Sequence, residues 1–161
     1  MNHKNKTKDI FIQDDANKIY LVSNTGKIYW TKQLPEKIMG EVTQVDMLKN
    51  NKLQIIFNTR SAIHAIDRNG NEMSGFPITL QSNATTTISV FDYEKNRNYR
   101  IFVPCESKQV LCYETTGKEL KGFKLDKTKS VVRMPIQYFK ANGKDHLCAI
   151  DDEGRIEVLR G

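Results

Sequence analysis

One pattern of residues returns four times along this chain and restricts its fold more than any other feature. The segments Lys18-Ile19-Tyr20-Leu21-Val22-Ser23-Asn24-Thr25-Gly26, Ala62-Ile63-His64-Ala65-Ile66-Asp67-Arg68-Asn69-Gly70 and Gln109-Val110-Leu111-Cys112-Tyr113-Glu114-Thr115-Thr116-Gly117 align on their turn glycines. Arg155-Ile156-Glu157-Val158-Leu159-Arg160-Gly161 is a fourth copy. With Ile19, Ile63, Val110 and Ile156 as one column, the spacings are 44, 47 and 46 residues. Other columns keep the period. Ile10-Phe11-Ile12 matches Ile55-Ile56-Phe57 and Ile101-Phe102-Val103, and Val45-Asp46 matches Phe91-Asp92 and Tyr138-Phe139. Gly75-Phe76 returns as Gly122-Phe123, with Trp30 in the related place of the first copy. Independent columns sharing one period mark a repeat architecture in which each copy is one supersecondary unit.

Each copy resolves into four short apolar segments divided by turn residues. In the second copy they run near 42–48, 53–58, 62–67 and 73–80, broken at Lys49-Asn50-Asn51, Thr59-Arg60-Ser61 and Arg68-Asn69-Gly70-Asn71. Val, Ile, Phe and Tyr dominate the segments, and these residues suit a pleated, half-buried surface. Such short breaks leave no room for a crossover, so consecutive segments must pair as antiparallel neighbours. No window carries a capped helical stripe of about 10–12 residues. Four antiparallel strands at a period of roughly 40–50 residues is the pattern of a β-propeller blade, whereas a β-sandwich would need about 100 residues per unit. The expected fold is an all-β β-propeller with four-stranded blades, about three and a half of them, forming part of a ring or a small ring. Residues 1–161 are one propeller region, with copies at approximately 1–40 (partial), 41–86, 87–133 and 134–161 (partial). Strands are expected in groups of three, four, four and three, because Ile10-Phe11-Ile12 aligns with second strands and Gly161 follows a third.

The chain carries 25 Lys plus Arg against 19 Asp plus Glu, a formal charge of +6. That favours weak attraction to polyanions, but a nucleic-acid face needs gathered cations with aromatic residues among them. Here lysines recur singly (Lys27, Lys49, Lys95, Lys118, Lys144), and the one dense group, Lys4, Lys6 and Lys8, is terminal. The charge reads as a solvated surface, with no specific nucleic-acid partner. No run approaches roughly 18 apolar residues, so no transmembrane segment is expected. Residues 1–9 are polar and basic and show no signal-peptide pattern. Cys105, Cys112 and Cys148 are odd in number, lack CxxC spacing and have no histidine at ligand distance. They indicate neither a disulfide framework nor a zinc site, and the compartment stays unread.

At Thr25-Gly26-Lys27-Ile28-Tyr29-Trp30 the first copy resembles the TGKxxW docking motif of quinoprotein-type (PQQ-type) propeller blades. In that family the tryptophan stacks on a peptide of the neighbouring blade and fixes the angle between blades. The resemblance implies a structural blade-docking role for Thr25, Gly26, Lys27 and Trp30, and for the column glycines Gly70 and Gly117. It covers nearly the whole chain, but the full motif occurs once: Thr116-Gly117-Lys118 keeps TGK without the tryptophan, and Asn69-Gly70-Asn71 keeps only the glycine. The run Phe91-Asp92-Tyr93-Glu94-Lys95-Asn96-Arg97-Asn98-Tyr99-Arg100-Ile101-Phe102 is also similar to C-terminal propeller repeats of large uncharacterised Bacteroidetes proteins. That likeness implies a cell-envelope setting and no known activity.

Candidate chemical sites are weighed and declined. Nothing matches, residue by residue, the acidic, amide and basic set that holds the quinone in true quinoproteins, so no cofactor is expected. Asp14-Asp15-Ala16-Asn17 and Asp151-Asp152-Glu153-Gly154 share one turn and could offer oxygens to a hard cation. The equivalent turns, Asn58-Thr59-Arg60-Ser61 and Cys105-Glu106-Ser107-Lys108, are not acidic, so turn chemistry explains them and no metal is expected. Asp46 and Asp92 close first strands before Lys49-Asn50 and Lys95-Asn96, where an Asx-type turn is favoured over a decayed cation loop. His3, His64 and His146 occupy unrelated repeat positions with no catalytic or metal spacing, and His64 replaces Tyr20 and Leu111 as a face-packing residue. Trp30, Tyr29, Phe76 and Phe123 read as wedges between blades rather than an exposed aromatic stripe.

The expected function is that of a non-catalytic propeller scaffold binding a protein or peptide at its loops, with self-association through open blade edges. Two alternatives stand beside it. One is a portion of a propeller enzyme whose active site is completed by missing blades. The other is a saccharide-binding module, which would require Trp30 and Tyr29 to face solvent.

Overall fold

The computed structural model describes residues 8–120 and 127–160. The described residues form thirteen strands in four antiparallel sheets, with no α-helix. The first sheet is β1 (Ile10–Gln13), β2 (Lys18–Val22) and β3 (Ile28–Gln33), and the second is β4 (Thr43–Val45), β5 (Gln54–Asn58), β6 (Ala62–Ile66) and β7 (Ile78–Thr79). The third is β8 (Ser89–Phe91), β9 (Arg100–Pro104) and β10 (Val110–Glu114), and the fourth is β11 (Gln137–Ala141), β12 (Lys144–Ile150) and β13 (Ile156–Arg160). Each sheet is ordered as its strands follow in the chain. The fourth strand expected in the third copy, at Gly122-Phe123, lies outside the described residues; its approach is marked by the bridge Tyr113↔Glu119. Within the segment expected over 73–80 the strand is confined to the two residues of β7, flanked by single backbone bonds from Met73 to Ala65 and from Leu80 to Ser61, with an isolated bridge from Glu72 to Ile66 just ahead of it. Gly75 interrupts it at φ 84°, and Pro77 has no N–H to give a ladder.

Side-chain alternation then decides what each sheet touches. In the first sheet Phe11, Leu21 and Trp30 are cross-strand partners on one face, and Ile12, Tyr20 and Thr31 lie on the other. The first of these faces meets the second sheet in a cluster of Ile19, Leu34, Ile55, Phe57 and Ile66, with Phe11 and Trp30 against it. One residue along, Ile56 points the opposite way and joins Ile63, Ala65, Ile101, Val103 and Tyr113 between the second and third sheets. Phe102, Val110 and Cys112 then meet Leu147 and Ala149 between the third and fourth. The sheets therefore stack in chain order, forward face onto rear face. Strands β5 and β6 are buried at every residue because both faces of their sheet are covered. Each fully buried Ile or Phe contributes about 1.5–3 kcal/mol, so the junctions carry much of the stability. Ile10 and Ile12, on the rear of the first sheet, and Ile156 and Val158, on the front of the fourth, remain exposed.

Candidate interaction surface

Thr25, Gly26 and Lys27 form the β2–β3 hairpin turn. Ser23 organises it: its Oγ accepts from the Lys27 amide at 2.9 Å and contacts Thr25 Oγ1 at 2.9 Å. Asp67 does the same for the next copy, accepting from the amides of Asn69 and Asn71. Trp30, four residues beyond the turn glycine Gly26, reaches across to that second turn. Its Nε1 donates to the Arg68 carbonyl at 2.8 Å, and a Cβ built on Gly70 would stand 2.8 Å from the ring's Cδ2. At the following junction the bare backbone of Gly75 takes the place of the indole. A Cβ on Gly117 would overlap the Gly75 carbonyl, and one on Gly75 would overlap the Thr116 carbonyl. A Cβ on Gly26 would meet nothing within 4 Å.

On the same rim as these turns, β4–β5 and β8–β9 repeat one loop design. Asp46 accepts from the amides of Asn50 and Asn51 at 3.0 and 2.8 Å, and Asp92 from those of Asn96 and Arg97 at 3.1 and 2.9 Å. Asn50 and Asn96 then accept from the amides two residues on. These are Asx-type turns, with the carboxylate oxygens turned onto backbone N–H groups. The two loops are also tied together. Arg97 donates to Asp46 Oδ2 at 2.7 Å and to Asn51 Oδ1 at 2.9 Å, while Lys49 Nζ donates to Asn98 Oδ1 at 2.7 Å. The outcome is one continuous ledge spanning two blades, with Lys49, Asn50, Asn51, Lys52, Lys95, Asn96 and Asn98 exposed along it.

The opposite rim is occupied by connections. Asp14 accepts from the amides of Ala16 and Lys18 and from the Tyr20 hydroxyl, and Asp151 accepts from the amides of Glu153 and Arg155 and from the Arg155 side chain. Two residues that sequence reading passed over fasten the linkers between blades. Gln13 accepts from the Ile38 amide and donates to the Glu36 carbonyl. Asn58, fully buried, accepts from the Ile88 amide at 2.9 Å and donates to the Thr86 carbonyl at 3.1 Å. Both stand at the end of a second strand, which is the only signal that could have found them. Glu36 accepts from the Ser61 amide and hydroxyl at 2.9 Å. Burial works to raise its carboxyl, but these bonds outweigh it and hold Glu36 below the usual carboxylate range.

His64 lies between the first two sheets. It stacks on Phe57 at 5.2 Å, and its Nδ1 sits 3.1 Å from Glu72, which also pairs with Lys32 at 3.0 Å. Desolvation works to raise the Glu72 carboxyl, but His64 and Lys32 outweigh it, leaving the group below its ordinary value. Burial pushes the Cys105 thiol to about 11 and the Cys112 thiol to about 12, so neither is a ready nucleophile. Among the described residues, no group of three or more His, Cys, Asp or Glu is placed to hold a metal ion, and no helix is long and apolar enough to cross a membrane.

No family model matches the chain, and no curated protein matches it. Solved structures do. A crystal structure of BBS1N, a β-propeller domain, in complex with ARL6DN and soaked with mercury superposes with a TM-score of 0.68 at 11% identity, covering 98% of this chain and 47% of that one. A lead-soaked crystal of the same complex gives a TM-score of 0.59 at 13% identity, covering 94% and 48%. The chain thus spans about half the length of the solved chains it matches. With the four antiparallel sheets stacked in order, this establishes an all-β chain of β-propeller fold.

Proposed function

We propose that this chain is a non-catalytic β-propeller scaffold that binds an acidic protein or peptide along the ledge formed by the β4–β5 and β8–β9 turns. The observation that carries the reading is the cross-bridging of the two turns by Arg97 and Lys49. A surface already held in place loses little side-chain freedom on binding. Its exposed amides and lysines, on a chain of charge +6, favour a partner rich in carboxylates. The crystallised complex of BBS1N with ARL6DN supports protein recognition as a use of this fold. Trp30, Gly70 and Gly117 act in blade docking rather than ligand binding, while Thr25, Gly26 and Lys27 shape the first hairpin turn. That assignment supports the quinoprotein-type reading of the blades; a cell-envelope setting rests separately on the likeness of residues 91–102 to Bacteroidetes propeller repeats. The half-burial of Trp30 over Gly70 speaks against a saccharide platform, and the burial of His64 against a catalytic role for it.

The test is an array of acidic peptides read with the purified chain, with Lys49→Glu/Lys95→Glu and with Lys37→Glu on the opposite rim. The ledge variant should lose binding by roughly tenfold or more, while Lys37→Glu keeps it. Equal loss in both variants, or none in either, overturns the reading.

A further inference from the structure

We propose that the rear face of the first sheet and the forward face of the fourth are two halves of one blade-to-blade junction, and that a second copy of this chain fills both. The inference stands on the repeat columns and is independent of the ledge. Ile10 and Ile12 are 52% and 48% exposed, whereas their column counterparts Ile55, Phe57, Ile101 and Val103, on the rear faces of the next two sheets, lie between 0% and 7%. Ile156 and Val158 are 63% and 51% exposed, whereas Ile63, Ala65, Val110 and Cys112, their counterparts on forward faces, lie between 0% and 5%. Of the ten large apolar residues exposed among the described residues, six stand on these two faces: Ile10, Ile12 and Ile28 on one, Phe139, Ile156 and Val158 on the other. Exposed apolar residues gathered this way, beside an edge of β1 that has no partner among the described residues, mark a contact surface rather than a solvated one.

What covers them follows from what covers the same columns elsewhere. At every internal junction a forward face of the Ile19, Ile63 and Val110 column meets a rear face of the Ile55 and Ile101 column. The fourth sheet carries the forward type and the first sheet the rear type, so each copy holds both halves of a matched pair. Each junction sets front onto rear, and a two-fold axis along the ring repeats it, so the two copies close as an isologous pair.

Sedimentation of the full chain tests this. The expected mass is twice 18.6 kDa. Ile12→Glu and Val158→Glu, both at exposed positions and checked by far-UV circular dichroism, should each sediment as single chains. Mixed in equal amounts they should pair again, because each supplies the face the other has lost. A second readout needs no variant: Cys148 lies on the forward face of the fourth sheet, so its alkylation in the unmodified chain should quicken on dilution. Three results would each overturn the proposal. They are a mass of 18.6 kDa at the highest soluble concentration, a dimer lost to one substitution but not the other, and a Cys148 rate indifferent to concentration.

Discussion

The three turn glycines provide an internal comparison for blade docking. Gly26, Gly70 and Gly117 occupy the same hairpin position with φ of 85°, 87° and 82°, so alanine meets the same backbone penalty at each, about 1–2 kcal/mol. Their surroundings differ. A methyl at Gly26 enters open space, so Gly26→Ala should cost that penalty alone. A methyl at Gly70 would stand 2.8 Å from Trp30 Cδ2 and 3.0 Å from Cε3, which forces the indole to tilt away from the Arg68 carbonyl. Overpacking of this kind adds about 1–3 kcal/mol. At Gly117 the obstacle is the Gly75 backbone, which cannot rotate aside, so the cost should equal or exceed that at Gly70. Urea unfolding followed by circular dichroism should rank the variants Gly26, Gly70, Gly117 in order of increasing loss. In a Trp30→Ala background the added cost of Gly70→Ala should fall back to about 1–2 kcal/mol, the coupling that a double-mutant cycle measures. Equal costs at Gly26 and Gly70, or no coupling with Trp30, would refute the docking argument.

Other outcomes follow from the same contacts. Asn58→Ala removes the partner of the buried Ile88 amide and of two carbonyls, at Thr59 and Thr86, and should lower the unfolding free energy measured in urea by about 2–4 kcal/mol. Glu36 and Glu72 are depressed carboxyls, so the unfolded chain takes up protons at higher pH than the folded one. Their stabilisation is complete above their ordinary value of 4.5 and is lost as pH falls through the folded values. Melting temperatures between neutral and acid pH should show that decline, and Glu72→Gln should flatten it. Folded protein at mild alkaline pH should leave Cys105 and Cys112 unalkylated, and denaturant should release both.

The column arithmetic reached further than the strand boundaries. Because Ile55 and Ile56 are neighbours in an extended strand, they must face opposite junctions, and a period shared with Ile101-Phe102 indicates which partner each meets. Trp30 was legible as a wedge because it sits at a fixed offset from a turn glycine. The Arg97–Asp46 bridge was not: it joins residues 51 apart, and only the angle between two sheets brings them to 2.7 Å. Lys32 reaches Glu72 for the same reason. Gln13 and Asn58 share one column, but their side chains differ in length and Pro104 replaces them in the third copy, so the column did not stand out. The break in the segment over 73–80 depended on the close approach of Gly75 to Gly117, a backbone contact that no single residue type announces.

The central claim is that the chain is a rigid propeller scaffold whose working surface is the cross-bridged ledge. Mapping backbone amide shifts while an acidic peptide selected from the array is titrated into isotope-labelled protein tests it most directly. Perturbed amides should concentrate within residues 46–52 and 92–99, leaving the opposite rim at 14–17, 58–61, 105–108 and 151–154 unmoved. Shifts centred on that opposite rim, or spread evenly over the chain, would contradict it.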